Sequence, residues 1–224
     1  MVRSNITQIA AGHDGESDQF DPGALPPAFM SLDVHESNGK VLMVLDANGT
    51  LLSRVYDPLQ RKYGDITVRP HAKTFLAYWQ GREDVEIALW CGAMTSKEKK
   101  ALVLALQKTA GLKKKTFMLG AIPEFRRRGK SRFFPGSSKV IYAKPLKAVK
   151  MMFPSYAGYL QIDDDIEKMM GLGRGRKRRL FNNSDEYVIT PKFAGDLTDN
   201  ALQMGVGVTA VEVRKRIDAM LDEV

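Results

Sequence analysis

Three short apolar runs in this chain each stop at a cluster of residues able to do chemistry. Positions 41–45 (VLMVL) end at Asp46-Ala47-Asn48-Gly49-Thr50, positions 85–90 (VEIALW) at Cys91-Gly92, and positions 159–162 (YLQI) at Asp163-Asp164-Asp165. Runs of this length suit strands buried on both faces of a parallel sheet. In such a sheet ligands bind beyond the carboxyl ends of the strands, so clusters far apart in sequence would meet in one crevice. Carboxylates gathered there repel one another unless a cation sits among them, and an all-oxygen donor set suits Mg²⁺. A magnesium ion with a lysine nearby is equipment for handling a phosphoryl group.

The elements that position these clusters follow from periodicity. Arg69-Pro70 opens a helical pattern with Phe75, Leu76 and Trp79 on one side. Thr95-Ser96-Lys97-Glu98 is a capping box that starts a helix over about 96–109, with Leu102, Val103 and Leu106 inward. Positions 116–119 and 140–143 read as short strands and 145–152 as a helix. Positions 208–221 read as an amphipathic helix with Val211, Val213, Ile217, Met220 and Leu221 as core candidates. Strands alternating with helices predict an α/β domain, a mostly parallel sheet with helices on both faces. That domain is expected over 38–224, preceded by an acidic arm over 1–37.

Composition narrows the class. The 224 residues are 44% hydrophobic and 27% charged, which suits a globular chain and excludes a wholly disordered or collagen-like one. No run approaches the about 18 apolar residues of a membrane-spanning helix. A single cysteine excludes an intrachain disulfide and a multi-cysteine zinc site, and fits an intracellular, reducing compartment, with nucleus and mitochondrion both open. The net charge of +8 is unevenly spread. Residues 1–40 are acidic, whereas 96–150 carry Glu98 and Glu124 as their only acids among many lysines and arginines. Basic insertions are expected at 113–132 and 173–179. Their dense stretches are Lys113, Lys114 and Lys115; Arg126, Arg127, Arg128 and Lys130; and Arg174, Arg176, Lys177, Arg178 and Arg179. Such stretches are either solvated faces or contacts to a polyanion, RNA or a ribonucleoprotein among them. The stretch over 96–150 lies between the second and third clusters in the chain, which is expected to put its charge at the border of the crevice.

The clusters together resemble the haloacid dehalogenase superfamily. Val44-Leu45-Asp46-Ala47-Asn48-Gly49-Thr50 is similar to its first motif, a hydrophobic strand followed by Asp-x-Asp-Gly-Thr. Val68-Arg69-Pro70-His71 to Phe75-Leu76 resembles a segment of one branch, the RNA polymerase CTD phosphatases and NLI-interacting-factor-like proteins. Ile87-Ala88-Leu89-Trp90-Cys91 resembles the second motif of that branch, Lys144-Pro145-Leu146 its third, and Leu160 to Lys168 its fourth. The resemblance covers about residues 38–204. It implies a Rossmann-like fold with a short flap over 51–67, no large cap, and an aspartyl-phosphate mechanism acting on phosphoproteins. Asp46 would be the nucleophile. Mg²⁺ would be held by Asp46, the backbone carbonyl of Asn48 and Asp164, with Asp163 in support. Lys144 would neutralise the transferring oxygens, and Cys91 and Gly92 would help bind the phosphate.

Three departures from the pattern bear on turnover. The family's second aspartate, its general acid and base, is Asn48 here, whose amide cannot exchange that proton; losing such a group costs about 10² to 10⁴ in rate. Cys91 replaces a hydroxyl residue and is a poorer hydrogen-bond partner for phosphate. Asp165 and Ile166 stand where the branch has serine and proline. Two expectations follow: a slow or inactive phosphatase domain with a magnesium and phosphate site, or an inactive basic module within a ribonucleoprotein or other large assembly. Taken singly, the residues allow blander roles. Asp46 could cap a turn, Asp163–Asp165 could be a solvated loop, Lys144 an exposed lysine and Cys91 a small core residue.

Overall fold

The computed structural model describes residues 39–57, 59, 62–91, 96–114, 116–120, 126–130, 138–142, 144–168 and 184–223. The proposed acidic arm, Gly92, the capping-box Thr95, Lys115 and the cluster at 174–179 lie outside the described residues.

A five-stranded, all-parallel sheet organises the domain. Its strands are β1 (Val41–Asp46), β4 (Val85–Trp90), β5 (Phe117–Leu119), β8 (Gly158–Asp163) and β9 (Tyr187–Ile189), in the order β5-β4-β1-β8-β9. β1 is the centre. It pairs with β4 on one side (Leu45 with Leu89) and with β8 on the other (Leu45 with Ile162). Every residue of β1 and β8 is buried, which is why both read as continuous apolar runs without a two-residue period.

Alternate side chains of the sheet feed two cores. Val41, Met43 and Leu45 of β1 face α1 (Ala72–Gly81), α2 (Ser96–Ala110) and α4 (Val208–Asp222), through Phe75, Leu76, Trp79, Leu102, Leu106, Val213 and Ile217. Leu42 and Val44 face α3 (Leu146–Met152), through Leu146 and Val149, together with Tyr156 and Tyr159. Helices therefore cover both faces, as the alternation of elements predicts. In α4, Val213 and Ile217 are buried and Met220 and Leu221 pack against the core, but Val211 is 46% exposed. The helical phase that buries Ala210, Val213 and Ile217 turns position 211 outward, so its place in the predicted core is corrected.

Two antiparallel hairpins stand apart from the sheet. The first, β2 (Leu52–Asp57) with β3 (Lys62–Val68), forms the segment expected as a short flap. Its Arg54 stacks 4.4 Å over Tyr63 and pairs with Glu98 of α2 at 3.7 Å. The second joins β6 (Arg126–Lys130) to β7 (Ser138–Tyr142). The strand expected at 140–143 thus exists but belongs to this hairpin rather than to the parallel sheet. Its partner reads RRRGK, a sequence with no apolar residue, and cannot enter a sheet buried on both faces. Among the described residues, no helix is long and apolar enough to cross a membrane.

Candidate metal and phosphate site

The strand order places a reversal of direction at β1: the chain builds outward through β4 and β5, then crosses back to β8 and β9 on the far side. The crevice of an open α/β sheet opens at such a point, beyond the carboxyl ends of the adjacent strands. Because Leu45 pairs with Ile162, the next residues of the two strands, Asp46 and Asp163, end side by side. Asp164 follows on the loop. One carboxylate oxygen from each of Asp46, Asp163 and Asp164 lies within 4.8 Å of the others. This buried cluster could hold a metal ion.

Backbone conformation brings Asp164 in. Gly49 adopts φ 96°, a left-handed conformation that glycine enters without penalty. A Cβ there would lie 2.4 Å from Asp164 Oδ2, so the absent side chain makes room for the carboxylate. The Gly49 carbonyl accepts a hydrogen bond from Phe193 N–H at 2.7 Å, which joins the β1 loop to the segment after β9. Thr190 N–H donates to the Asp163 carbonyl at 3.1 Å.

Arg69 fixes that segment from beneath. Its buried guanidinium donates to Thr50 O at 3.0 Å, Thr190 Oγ1 at 3.0 Å and Pro191 O at 2.9 Å, and forks onto Asp199 at 2.9 and 2.8 Å. The arginine of the Arg69-Pro70-His71 stretch therefore positions both loops of the site. His71, with φ 63°, immediately precedes α1 and makes no side-chain cap, a structural residue at a helix start.

Lys144 is 1% exposed, which excludes the exposed-lysine reading. Its ammonium donates to Asp46 Oδ1 and, at 2.9 Å, to Asp163 Oδ2. Its own N–H donates to the carbonyl of Lys168 at 2.7 Å. Lys168, which ends the fourth-motif resemblance but was given no site role, completes the cluster. Its ammonium stands 3.0 Å from Asp163 Oδ1, 3.4 Å from Asp164 Oδ1 and 3.6 Å from Asp46 Oδ1. The signal for it was the four-residue spacing from Asp164, which brings two side chains together on one helical turn. At the rim, the exposed Lys192 lies 3.6 Å from Asp164 Oδ2.

The electrostatics separate the aspartates. Burial, reinforced by Asp163, pushes the Asp46 carboxyl up to about 6 against the pull of Lys144 and Lys168. Burial also works against the Asp163 anion, but the two ammoniums and their hydrogen bonds overcome it and hold its carboxyl below the usual range. Asp163 accepts from Lys144, Lys168 and the N–H of Asp165, so it is an anchor rather than a solvated loop residue. Asp46 Oδ2, by contrast, is buried without a hydrogen-bond partner among the described residues, as are Asn48 Oδ1 and Thr50 Oγ1. An unpartnered buried oxygen within a carboxylate cluster, as Asp46 Oδ2 is, fits a hard cation or a donor-rich ligand. Asp46 therefore does not act as a turn cap: its bonded oxygen serves Lys144.

Cys91 is buried at the end of β4, its N–H bonded to the Leu119 carbonyl at 3.1 Å. Burial, with Asp46 adding to it, pushes the thiol up to about 11, which removes thiolate reactivity near neutrality.

The basic stretches divide between the two ends of the sheet. Lys113 and Lys114 follow α2 at the end opposite the carboxylates, where Lys113 N–H donates to Gln80 Oε1 at 2.7 Å and its ammonium to Gln80 O at 2.5 Å. They do not border the crevice, because α2 returns the chain to the starting edge of the strands. The hairpin holding Arg126, Arg127, Arg128 and Lys130 is at the other end. Arg126 pairs with Tyr142, two residues before Lys144.

No protein-family model matches this chain, and no curated protein matches it in sequence.

Proposed function

We propose that this chain is a haloacid-dehalogenase-like domain of the CTD-phosphatase type, with a magnesium and phosphate site and little or no turnover. The observation that carries the reading is the convergence of Asp46, Lys144, Asp163 and Asp164 at the carboxyl ends of β1 and β8. These are the positions that the motif resemblance assigned to nucleophile, lysine and metal-holding acids. Lys144 engages Asp46 through Oδ1, leaving Oδ2 as the oxygen able to attack. Asp46, Asp164 and the Asn48 carbonyl would hold Mg²⁺, which when bound supplies neutralisation of the phosphoryl oxygens.

The residues divide the reaction into a step this chain can perform and one it cannot. With an aryl phosphate, Asp46 Oδ2 attacks phosphorus, the bond to the aryl oxygen breaks, and the electron pair leaves with a phenolate that needs no proton. The next step, attack of water on the aspartyl phosphate, needs a base to take a proton. Asn48 has no such capacity. The acyl phosphate therefore accumulates. The test is intact-protein mass spectrometry after exposure to an aryl phosphate with Mg²⁺: one added phosphoryl group in the wild type and none in Asp46→Asn. An unmodified wild type counts against the nucleophile.

A second reading, a basic module that holds RNA or a ribonucleoprotein, draws support from the β6–β7 hairpin. Its basic strand starts at Arg126, paired with Tyr142 two residues before Lys144, and runs away from there to Lys130, paired with Ser138. On that reading RNA binding is salt-sensitive and weakens when 126–130 is neutralised. Binding that is unaffected by salt rules it out.

A further inference from the structure

We propose that Lys168 is a built-in counter-ion of the aspartate cluster, occupying the place of the divalent cation until metal displaces it. The inference rests on the reading of the cluster as a metal site and adds its regulation.

Three carboxylates, Asp46, Asp163 and Asp164, gather at the carboxyl ends of β1 and β8. Lys144 satisfies Asp46 and Asp163. Among the described residues, Lys168 alone contacts all three, at 3.6, 3.0 and 3.4 Å. An ammonium in that position has the location and the sign of the cation that such oxygens gather. A divalent ion bound to Asp46 and Asp164 needs oxygen contacts of about 2.0–2.1 Å, and with Lys144 already on Asp46 a second ammonium against both metal-holding carboxylates would strongly repel the ion. Metal and the Lys168 ammonium are therefore alternatives.

The lysine is built to leave. Its backbone carbonyl is held by Lys144 N–H at 2.7 Å, which anchors the turn, while its side chain is 21% exposed and can swing to solvent. Lys144, at 1%, has no such exit. The two lysines thus differ in role: Lys144 is a fixed partner of Asp46, and Lys168 a gate on metal entry. With Lys168 in place two ammoniums face the three carboxylates, which offsets most of the repulsion among them.

The test is isothermal titration of the full chain with Mg²⁺ alone, in the wild type, Lys168→Gln, Lys168→Arg and Lys192→Gln, with thermal melting of each at rising Mg²⁺. Lys168→Gln is expected to bind Mg²⁺ at least about tenfold more tightly than the wild type. Without metal it melts lower than the wild type and recovers as Mg²⁺ is added, whereas the wild-type melting temperature barely moves. Lys168→Arg, which keeps the charge, binds as weakly as the wild type. Equal affinity in wild type and Lys168→Gln overturns the gate while leaving the metal site intact. An equal gain in Lys192→Gln also overturns it, since general charge near Asp164 would then account for the effect. If Mg²⁺ neither binds nor raises the melting temperature of any variant, the metal-site reading itself fails and the gate with it.

Discussion

Gly49 and Asp164 are fitted to each other: the carboxylate occupies the space that any side chain at position 49 would fill, 2.4 Å from the position of a Cβ. The loop after β1 and the loop after β8 thus approach closely only because one residue lacks a side chain. The same glycine is held at φ 96°, so both its conformation and its neighbour select for it.

Replacing it separates the two contributions. Gly49→Ala is expected to lower stability by about 2–3 kcal/mol, combining left-handed strain with displacement of Asp164. In an Asp164→Ala background the same change should cost only the strain, about 1 kcal/mol. Urea unfolding of the four proteins in the cycle measures the difference. Equal costs in both backgrounds would show that the two loops are not in contact.

Lys144→Met is expected to be the most destabilising single change in the site. It leaves Asp46 and Asp163 with Lys168 as their remaining ammonium in place of two, and breaking a buried pair in this way costs about 3–5 kcal/mol. Adding Asp46→Asn should restore part of the loss, because one uncompensated charge goes with it. Denaturant midpoints of the single and double variants check this; a double variant less stable than the single one would contradict it.

The Arg69–Asp199 fork predicts a pH dependence. Partial burial opposes the Asp199 anion, but the Arg69 hydrogen bonds prevail and hold its carboxyl below its ordinary 3.8. A depressed carboxyl binds fewer protons folded than unfolded, so its contribution is complete above the ordinary value and is lost as pH falls through the folded one. Asp199→Asn should therefore be less stable than the wild type at about pH 7, and the gap should close below about pH 4. Thermal melts across that range read it directly. A gap that persists in acid would assign the effect to packing.

Much of the fold was legible because its central strands are buried on both faces. Positions 41–45 and 85–90 could be read as strands without any partner, and Phe75, Leu76 and Trp79 carried the phase of α1. β9 escaped notice because three residues, Tyr187–Ile189, carry too little pattern to announce a strand. β6 escaped because its RRRGK sequence reads as a charged loop, and only pairing with β7 makes it a strand. In the site, Asp46, Asp163, Asp164 and Lys144 were legible from their places at the ends of apolar runs and from ordered motifs. Lys168 stood only as the last residue of the fourth motif, four positions after Asp164, and its role appears once the turn after β8 carries its ammonium back to three carboxylates. The placement of Lys113 and Lys114 at the far end of the sheet was implicit in the expected order, since a loop between a helix over 96–109 and a parallel strand at 116–119 joins the starting edge of that strand.

On the proposed function this scaffold keeps a nucleophile, Asp46, and lacks a general acid, with Asn48 in its place. Steady-state, Mg²⁺-dependent hydrolysis of an aryl phosphate should be compared in the wild type, Asn48→Asp, and Asn48→Asp combined with Asp46→Asn. Turnover in Asn48→Asp is expected to lie about 10² to 10⁴ above the wild type, as restoring a proton-transferring group would give, with none in the double variant. Wild-type turnover equal to that of Asn48→Asp, or activity that survives Asp46→Asn, would contradict it.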